Sequence, residues 1–395
     1  MKIKEKTKNE KIPKNVIVLG LVSFFNDVAS EMVYPIIPIF MTQVLKASTT
    51  TVGLVEGIAE STAAVTKFIF GYLSDKFKKR KPFVAAGYTM SSFSKAIIGL
   101  ANAWPLVLFS RFLDRLGKGL RTGSRDALLL QNTNEKNKGF IFGFHRAFDS
   151  AGAVIGPILG LILIYFIPNN LRLVFYLATI PGLIGVILLF LFIKEKPQST
   201  TKDKKQFAFS LKNINPKVKL FLLITFIFAL GNSSDAFLIL RAKNLGLTTQ
   251  LAVIVYVLYN LVQTLFSTPL GKLSDKIGHR KMFSFGLLVF SFVYFCFGLI
   301  KSSIYLWILF PVYGVYIAAT DGVSKAYLGE FIQEKEAGSV YGLYQMLIAF
   351  ASFFASFIGG LLWSKIDPSA TFYFGGAMAI LSFLILFVGK FWKKI

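Results

Sequence analysis

Long apolar segments recur along the whole sequence and limit the folds that are open to it. Each is about twenty residues long, which is the length of a helix that crosses the hydrocarbon of a bilayer. The 395-residue chain is 54% hydrophobic and only 16% charged, so it has too little polar surface for a soluble domain of this size. The sequence predicts an all-α integral membrane protein with twelve transmembrane helices, near residues 15–44, 50–73, 82–101, 105–130, 138–166, 171–193, 218–242, 250–273, 281–300, 304–328, 337–363 and 370–390.

The formal net charge of +24 is concentrated between these segments. Basic residues crowd the N-terminus, residues 75–82, 194–219 and 275–281, and the tail from Lys390. Loops rich in Lys and Arg stay on the cytoplasmic side, so we expect both termini and the middle loop there. Because the basic runs alternate with spans, they favour contact with the lipid bilayer over a nucleic-acid partner. A single cysteine, Cys296, excludes a disulfide framework, and the first span is too long for a cleaved signal peptide.

The chain also repeats itself. The stretch "GYLSDKFKKRK" begins at Gly71 and "GKLSDKIGHRK" begins at Gly271, each at the predicted cytoplasmic end of the second span of its half. Two glycines of span five recur at the same separation in span eleven, Gly143 and Gly160 as Gly342 and Gly359. We predict an N-terminal six-helix bundle over residues 1–193, a cytoplasmic linker over 194–217 and a C-terminal six-helix bundle over 218–395. Such duplication is typical of transporters that rock two bundles around a central site.

The first of these turns resembles the signature turn of the major facilitator superfamily, between spans two and three, and the second resembles its echo between spans eight and nine. The resemblance covers essentially the whole chain and implies the twelve-helix fold of a secondary transporter. It also implies that Asp75 contacts the cytoplasmic start of span eleven, where a helix N-terminus favours a carboxylate. The turn residues with an implied conformational role are Gly71, Asp75, Arg80, Gly271, Asp275 and Arg280.

Span five is similar to a second motif of the superfamily, which is typical of its antiporters. The matching residues are Gly143, Gly152, Gly156, Pro157 and Gly160, with Leu161 in place of a final glycine. Independently of the resemblance, glycines four residues apart permit close helix crossing, and a proline bends the helix. A pure packing role is therefore the alternative to a role in exchange.

Ionisable residues inside the spans form the candidate site. A charged group at bilayer depth costs several kcal/mol unless it faces a cavity or a partner, so such groups are functional candidates. The alternative is that they only join helices through ion pairs. The candidates in the first half are Asp27, Glu31, Glu56, Glu60, Arg111, Asp114, Arg115, Lys118, His145, Arg146 and Asp149.

Some charged or polar residues of the spans receive separate interpretations. His145 and Asp149, four residues apart on span five, could share a proton. Three residues near the predicted cytoplasmic end of span four are expected to reach water and to be structural, namely Arg121, Arg125 and Asp126. In the second half we expect Asp321 to pair with Lys325, and the candidate cavity residues are Asn232, Asp235, Asn260 and Gln263.

Deep acidic groups of the first half outnumber deep basic groups by six to four, not counting His145, which favours proton binding over a dedicated anion site. We expect a proton-coupled antiporter that exports small organic compounds by alternating access. The alternative is a proton-coupled symporter that imports a small polar or anionic solute. His145 and His279 are the only histidines, and there is no GxxxxGK[ST] loop, so we expect neither an enzyme, nor a metal site, nor an ATP-driven pump. We further expect no cofactor, with the proton gradient as energy source, and a monomer in a bacterial-type inner membrane.

Overall fold

A computed structural model describes residues 12–77, 80–131, 138–167, 170–193, 215–332 and 337–388. Within these ranges the chain is helical apart from short connections, and the helices match the twelve predicted spans within a few residues. A π-helical turn follows α2 at Phe40–Val44, and a 3-10 turn precedes α12 at Ser303–Tyr305. The helices are α1 (Lys14–Val33), α2 (Ile37–Ile39), α3 (Thr49–Phe77), α4 (Lys81–Leu100), α5 (Trp104–Leu130), α6 (Lys138–Phe166), α7 (Leu171–Phe192), α8 (Pro216–Gly231), α9 (Ala236–Asn244), α10 (Thr249–Ile277), α11 (His279–Leu299), α12 (Leu306–Gly329), α13 (Ala337–Lys365) and α14 (Pro368–Val388).

Spans one and seven are interrupted, which differs from the continuous spans that the sequence predicts. Span one changes from α1 to α2 around Pro35 and Pro38, since a proline has no amide hydrogen to continue the helical ladder. Span seven unwinds after Gly231, and Asn232 has φ −90° and ψ 79°, outside the helical region. The freed amide of Ser234 donates a hydrogen bond of 3.1 Å to the Ser356 hydroxyl oxygen of α13. Both interruptions occupy the same place in their repeats.

The helices form two bundles of six spans. In the first, α1 packs on α6 and α7, α4 packs on α5 and α7, and α3 packs on α5. In the second, α10 packs on α12, α11 packs on α12 and α14, and α8 packs on α13 and α14. Three pairs of helices contact each other across the bundles: α3 with α13, α6 with α10, and α2 with α9. The internal repeat relates the first two pairs to each other. Residues 194–214 of the predicted linker lie outside the described residues, so the domain boundaries stay a prediction.

Within the described ranges, nine spans are long and apolar enough to cross a membrane by length and composition alone. The three spans that fall short are α3, α4 and α5. These three carry most of the buried charged side chains of the first bundle. The three spans that are least apolar in composition therefore carry most of the charged residues of the candidate site.

Glycines allow α1 and α6 to approach closely, as predicted for span five. A methyl group at Gly152 would lie 2.8 Å from the carbonyl oxygen of Phe24, and one at Gly156 would lie 2.8 Å from that of Val28. Both distances are shorter than van der Waals contact, so only glycine fits there. Pro157 lies inside α6, which remains a single helix.

The two bundles touch at the end opposite the basic turns. There the Thr50 hydroxyl lies 2.6 Å from the Ser364 hydroxyl. Near the middle of α3, the Ser61 hydroxyl donates to the Ala349 carbonyl oxygen at 3.1 Å. At the other end, a methyl group on Gly143 or Gly342 would meet no described atom within 4 Å. Among the described residues, space is therefore left around both glycines at the end that carries the basic turns. In the predicted orientation, which stays a prediction, this is the cytoplasmic side.

The packing of α1 on α6 predicts a large difference between two glycine substitutions on one helix. Gly152→Ala places a methyl group against the α1 backbone, and such overpacking costs about 1–3 kcal/mol. We expect a lower midpoint of thermal denaturation for the purified protein, measured by intrinsic fluorescence. Gly143→Ala is the control and should leave the midpoint unchanged or slightly raised, since Ala favours a helix over Gly. Equal midpoints for the two variants would contradict the described packing.

Candidate functional site

Arg111 of α5 and Glu56 of α3 form an ion pair that is sealed from solvent. The Arg111 Nε and Nη2 atoms donate to the two carboxylate oxygens of Glu56 at 3.1 and 2.6 Å. The Glu56 side chain is only 2% exposed. A two-pronged, charge-assisted contact of this kind fixes geometry as well as charge, so it joins α3 to α5.

Lys95 of α4 and Asp114 of α5 form a second sealed pair, with 2.7 Å between Nζ and Oδ1. The Lys95 ammonium also donates to the carbonyl oxygen of Ser91 at 2.6 Å, and the Ser91 hydroxyl donates to Asp114 at 2.5 Å. Buried ions are tolerated when their hydrogen-bonding capacity is filled in this way. This pair joins α4 to α5.

Two further pairs lie at the edge of solvent. Arg115 Nη2 lies 3.0 Å from Glu60 Oε1, and the Glu60 side chain is 42% exposed. Arg121 Nη2 lies 3.9 Å from Asp27 Oδ1, and the Asp27 side chain is 26% exposed. Lys118 is exposed, and no ion pair of 4.0 Å or less joins it to another described residue. The first bundle thus contains both sealed and wet carboxylates.

The charged face of α5 continues further than the sequence analysis expected. The prediction that Arg121 reaches water is wrong, because its side chain is buried and its guanidinium carbon lies 4.5 Å from the ring centre of Tyr88. Arg125 is half-buried and donates to the Ser23 hydroxyl at 3.1 Å. It also donates to the carboxylate of the neighbouring Asp126. The helix turns these arginines toward α1 and α4 rather than toward solvent.

His145 and Asp149 lie near each other on α6, but they do not share a hydrogen bond. The distance from His145 Nδ1 to Asp149 Oδ1 is 3.6 Å, and His145 Nε2 has no partner in the described part of the chain. Arg125 Nη1 approaches Asp149 Oδ2 at 3.8 Å. Arg146 is exposed and lines neither of the two cavities described below.

A small cavity of about 50 Å³ lies among these charged groups. Since one water needs about 10–15 Å³ of such space, it has room for a few waters and no organic molecule. Its charged lining residues are Asp27, Glu31, Lys95, Arg111, Asp114, Arg115, Lys118 and Arg121.

A larger cavity of about 370 Å³ lies mainly in the second bundle, beside the interruption of span seven. Asp235 faces it and accepts hydrogen bonds from the hydroxyls of Tyr259 and Tyr313 at 2.6 and 2.8 Å. The Asn232 amide donates to the Tyr316 hydroxyl oxygen at 3.1 Å. Glu60 reaches the same cavity from the first bundle. A volume of this size suits a small organic molecule.

Hydroxyl groups join the two bundles beside these cavities. The Tyr256 hydroxyl of α10 donates to Glu31 of α1 at 2.9 Å. The Tyr34 hydroxyl lies 3.4 Å from the Ser234 hydroxyl, and Tyr34 lines both cavities. Residues of the two interrupted spans therefore meet at the boundary between the bundles.

Comparison with known families identifies this architecture. The model of the Major Facilitator Superfamily matches residues 19–240 and 220–394, which together cover most of the chain. The chain belongs to the major facilitator superfamily. It is therefore a multi-pass membrane transporter rather than an enzyme.

Relatives in sequence and structure agree with this assignment. An uncharacterised MFS-type transporter of Methanocaldococcus jannaschii is 38% identical over 389 residues, which cover 97% of this chain and 96% of that protein. Multidrug resistance protein 2 of Bacillus subtilis is 22% identical over 372 residues, which cover 91% of each chain. A mutant of the nucleoside transporter NupG has a TM-score of 0.80 at 12% identity, over 94% of this chain and 99% of that chain. At such low identity the structural likeness shows the fold alone.

The superfamily turns are only partly described. The environment of Gly71 and the side chain of Asp75 lie outside the described residues, and so does the expected contact of Asp75 with span eleven. Arg80 directly precedes α4. In the second turn, His279 lies 3.2 Å from Asp275 and 2.6 Å from Glu330. Arg280 donates to the carbonyl oxygen of Leu386, which ties this turn to α14. A methyl group at Gly271 would meet no described atom within 4 Å.

Two of the residues predicted for the cavity in the second half lie elsewhere. The Asn260 amide donates to the carbonyl oxygen of Tyr256 in its own helix at 3.0 Å, and Gln263 packs beside Gly314 of α12. Neither residue lines either of the two cavities described above. Asp321 and Lys325 form the expected pair at 3.5 Å, and both are exposed.

Several residues of the site were missed by the sequence analysis. Lys95 is a charged residue within span three, and the rule that marked the other buried charges applies to it equally. The tyrosines that hydrogen-bond to Glu31, Asp235 and Asn232 occur as two pairs three residues apart, a spacing that places both rings on one helix face. These pairs are Tyr256 with Tyr259 and Tyr313 with Tyr316.

Two glutamates of α3 provide a test of the division between sealed and wet ion pairs. Glu56→Gln leaves the Arg111 charge buried with a weakened partner, and breaking a buried pair costs about 3–5 kcal/mol. Glu60→Gln should cost about 0–1 kcal/mol, since an exposed pair contributes little. We expect the thermal denaturation midpoint of the purified protein to fall much more for Glu56→Gln. A larger fall for Glu60→Gln would contradict the assignment of Glu56 as the sealed member.

Proposed function

We propose that this transporter is a proton-coupled antiporter that exports small organic compounds. Family membership supports secondary transport. The multidrug resistance proteins of Bacillus subtilis and Escherichia fergusonii, 22% and 27% identical to this chain, support export. The span-five glycines and Pro157 are similar to the antiporter motif and support exchange.

The wet ion pairs are the observation that carries the proton coupling. Glu60 lines the large cavity and Asp27 the small one, each opposite a single arginine. A carboxylate beside a base stays ionised while the pair is intact, and a buried carboxylate that loses its base binds a proton more readily. A movement of α5 relative to α1 or α3 would therefore change the protonation of these groups.

Alternating access provides that movement. The bundles touch at one end through small residues and hydroxyl contacts, such as Thr50 with Ser364, and the described residues leave space around Gly143 and Gly342 at the other. Rocking of the bundles would open the first end and close the second, around the cavities between them. The sealed pairs of Arg111 with Glu56 and Lys95 with Asp114 would keep the first bundle rigid during this motion.

A symporter that imports a small polar or anionic solute is the second candidate. The exposed ammonium of Lys118 favours it, since this group lines the small cavity without an ion-pair partner among the described residues. The direction of proton movement separates the two candidates. An antiporter releases protons from an acidic vesicle when solute is added outside, and a symporter does not.

Asp27→Asn and Glu60→Gln should each reduce pH-driven exchange by about tenfold or more, because a group that cannot titrate cannot couple protons. The measurement uses proteoliposomes with an acidic interior and a trapped pH dye, to which a compound selected by thermal-shift screening at two pH values is added. Asp367→Asn is the control, because Asp367 lies in the exposed connection before α14 and lines neither cavity. Full proton release by both cavity variants would exclude their role in coupling.

A further inference from the structure

The charge of the large cavity wall is one-sided. Its lining contains the three carboxylates Glu60, Asp235 and Asp321, and it contains no Lys, Arg or His. Arg115 pairs with Glu60 from outside the lining, and Lys325 pairs with Asp321 in the same way. The carboxylate that remains without a base is Asp235.

Asp235 is held in place by neutral groups. Its two oxygens accept from the hydroxyls of Tyr313 and Tyr259, and no ion pair of 4.0 Å or less joins it to any described residue. The neighbouring Ser233 hydroxyl also lines the cavity, is 95% buried and has no hydrogen-bond partner in the described part of the chain. A buried carboxylate without a base favours a cationic partner, and a ligand can supply one.

Aromatic rings make up much of the remaining wall. The ring centres of Tyr313 and Tyr316 are 5.2 Å apart, and those of Tyr316 and Phe228 are 5.9 Å apart. Tyr34, Phe283 and Tyr344 complete the aromatic part of the lining. The faces of such rings attract organic cations, above all ammonium groups that carry alkyl substituents.

We infer that the large cavity binds an organic cation, with its ammonium group at Asp235 and its apolar part against the rings of Tyr313, Tyr316 and Phe228. This inference rests on the proposed function, since it names the class of compound that would be exported. Organic anions would find bases only in the small cavity, where there is no room for them. Only the small cavity is lined by bases, and the large cavity is lined by carboxylates, so the large cavity favours a cation over an anion.

Pairs of compounds with one shape and different charge test the inference on the unmodified protein. In each pair a trimethylammonium group is replaced by a tert-butyl group: choline with 3,3-dimethylbutan-1-ol, and (4-hydroxyphenyl)trimethylammonium with 4-tert-butylphenol. We expect the cations to raise the thermal denaturation midpoint at millimolar concentration and their neutral counterparts to do so far less. Equal effects within each pair, or no effect of either cation, would overturn the inference.

Substitutions then locate the binding group. Asp235→Asn should weaken binding of (4-hydroxyphenyl)trimethylammonium by about tenfold or more, and Asp321→Asn should cause a smaller loss, because Lys325 already neutralises Asp321. Should Asp235→Asn fail to fold, Tyr316 provides a second comparison. Tyr316→Leu removes a ring and should weaken binding by about fivefold, and Tyr316→Phe keeps the ring and should bind more tightly than Tyr316→Leu. Similar losses for Asp235→Asn and Asp321→Asn, or for both Tyr316 variants, would contradict the assignment.

The two proposals fail in different experiments. If the unmodified protein binds cations selectively but releases no protons, the proposed proton coupling is wrong and the proposed substrate class stands. Proton exchange that depends on Asp27 and Glu60, with a compound that is neutral or anionic, would remove the substrate class and leave the coupling in place.

Discussion

Hydrocarbon offers no water to a charged side chain, so each charge inside the membrane must meet an opposite charge, a hydroxyl group or a wet cavity. This constraint separates the carboxylates of the chain into three environments. Glu56 and Asp114 are sealed against bases, and Asp27 and Glu60 face bases at the edge of solvent. Glu31 and Asp235 accept hydrogen bonds from tyrosines. The sealed groups stabilise the helix packing, and the others are placed where their charge can change or be matched by a ligand.

The two bundles share one helix arrangement, but different types of side chain occupy their interiors. The first places a row of bases on α5 against carboxylates of α1 and α3, and its residual space holds only a few waters. The second replaces ions by aromatic rings and hydroxyls, and its span seven is unwound, which leaves a cavity large enough for a small molecule. We therefore propose a division of labour, in which the first bundle binds and releases protons and the second binds the solute. The two bundles thus share a fold but line their cavities with different residue types.

Sequence reasoning predicted the twelve spans, the repeated turns and the close packing of α6 on α1, because apolar length and glycine spacing are local properties. It also found most of the buried acids and bases. It did not predict that Asn260 and Gln263 line neither of the two cavities, since the direction of a helix face depends on the neighbours that pack on it. It misjudged Arg121 for the same reason, and it missed the interruption of span seven, which depends on a hydrogen bond between Ser234 and the distant Ser356. For Arg121 and for span seven, the deciding partners, Tyr88 and Ser356, are remote in sequence.

The contact between Tyr34 and Ser234 has a mechanical consequence. Each residue lies where the helix of its own span is interrupted. Because the two interruptions touch across the boundary, a change in the backbone at one of them would alter a contact of the other. Ser234 also donates to Glu56 of α3, so the interruption of span seven is anchored on two helices of the opposite bundle.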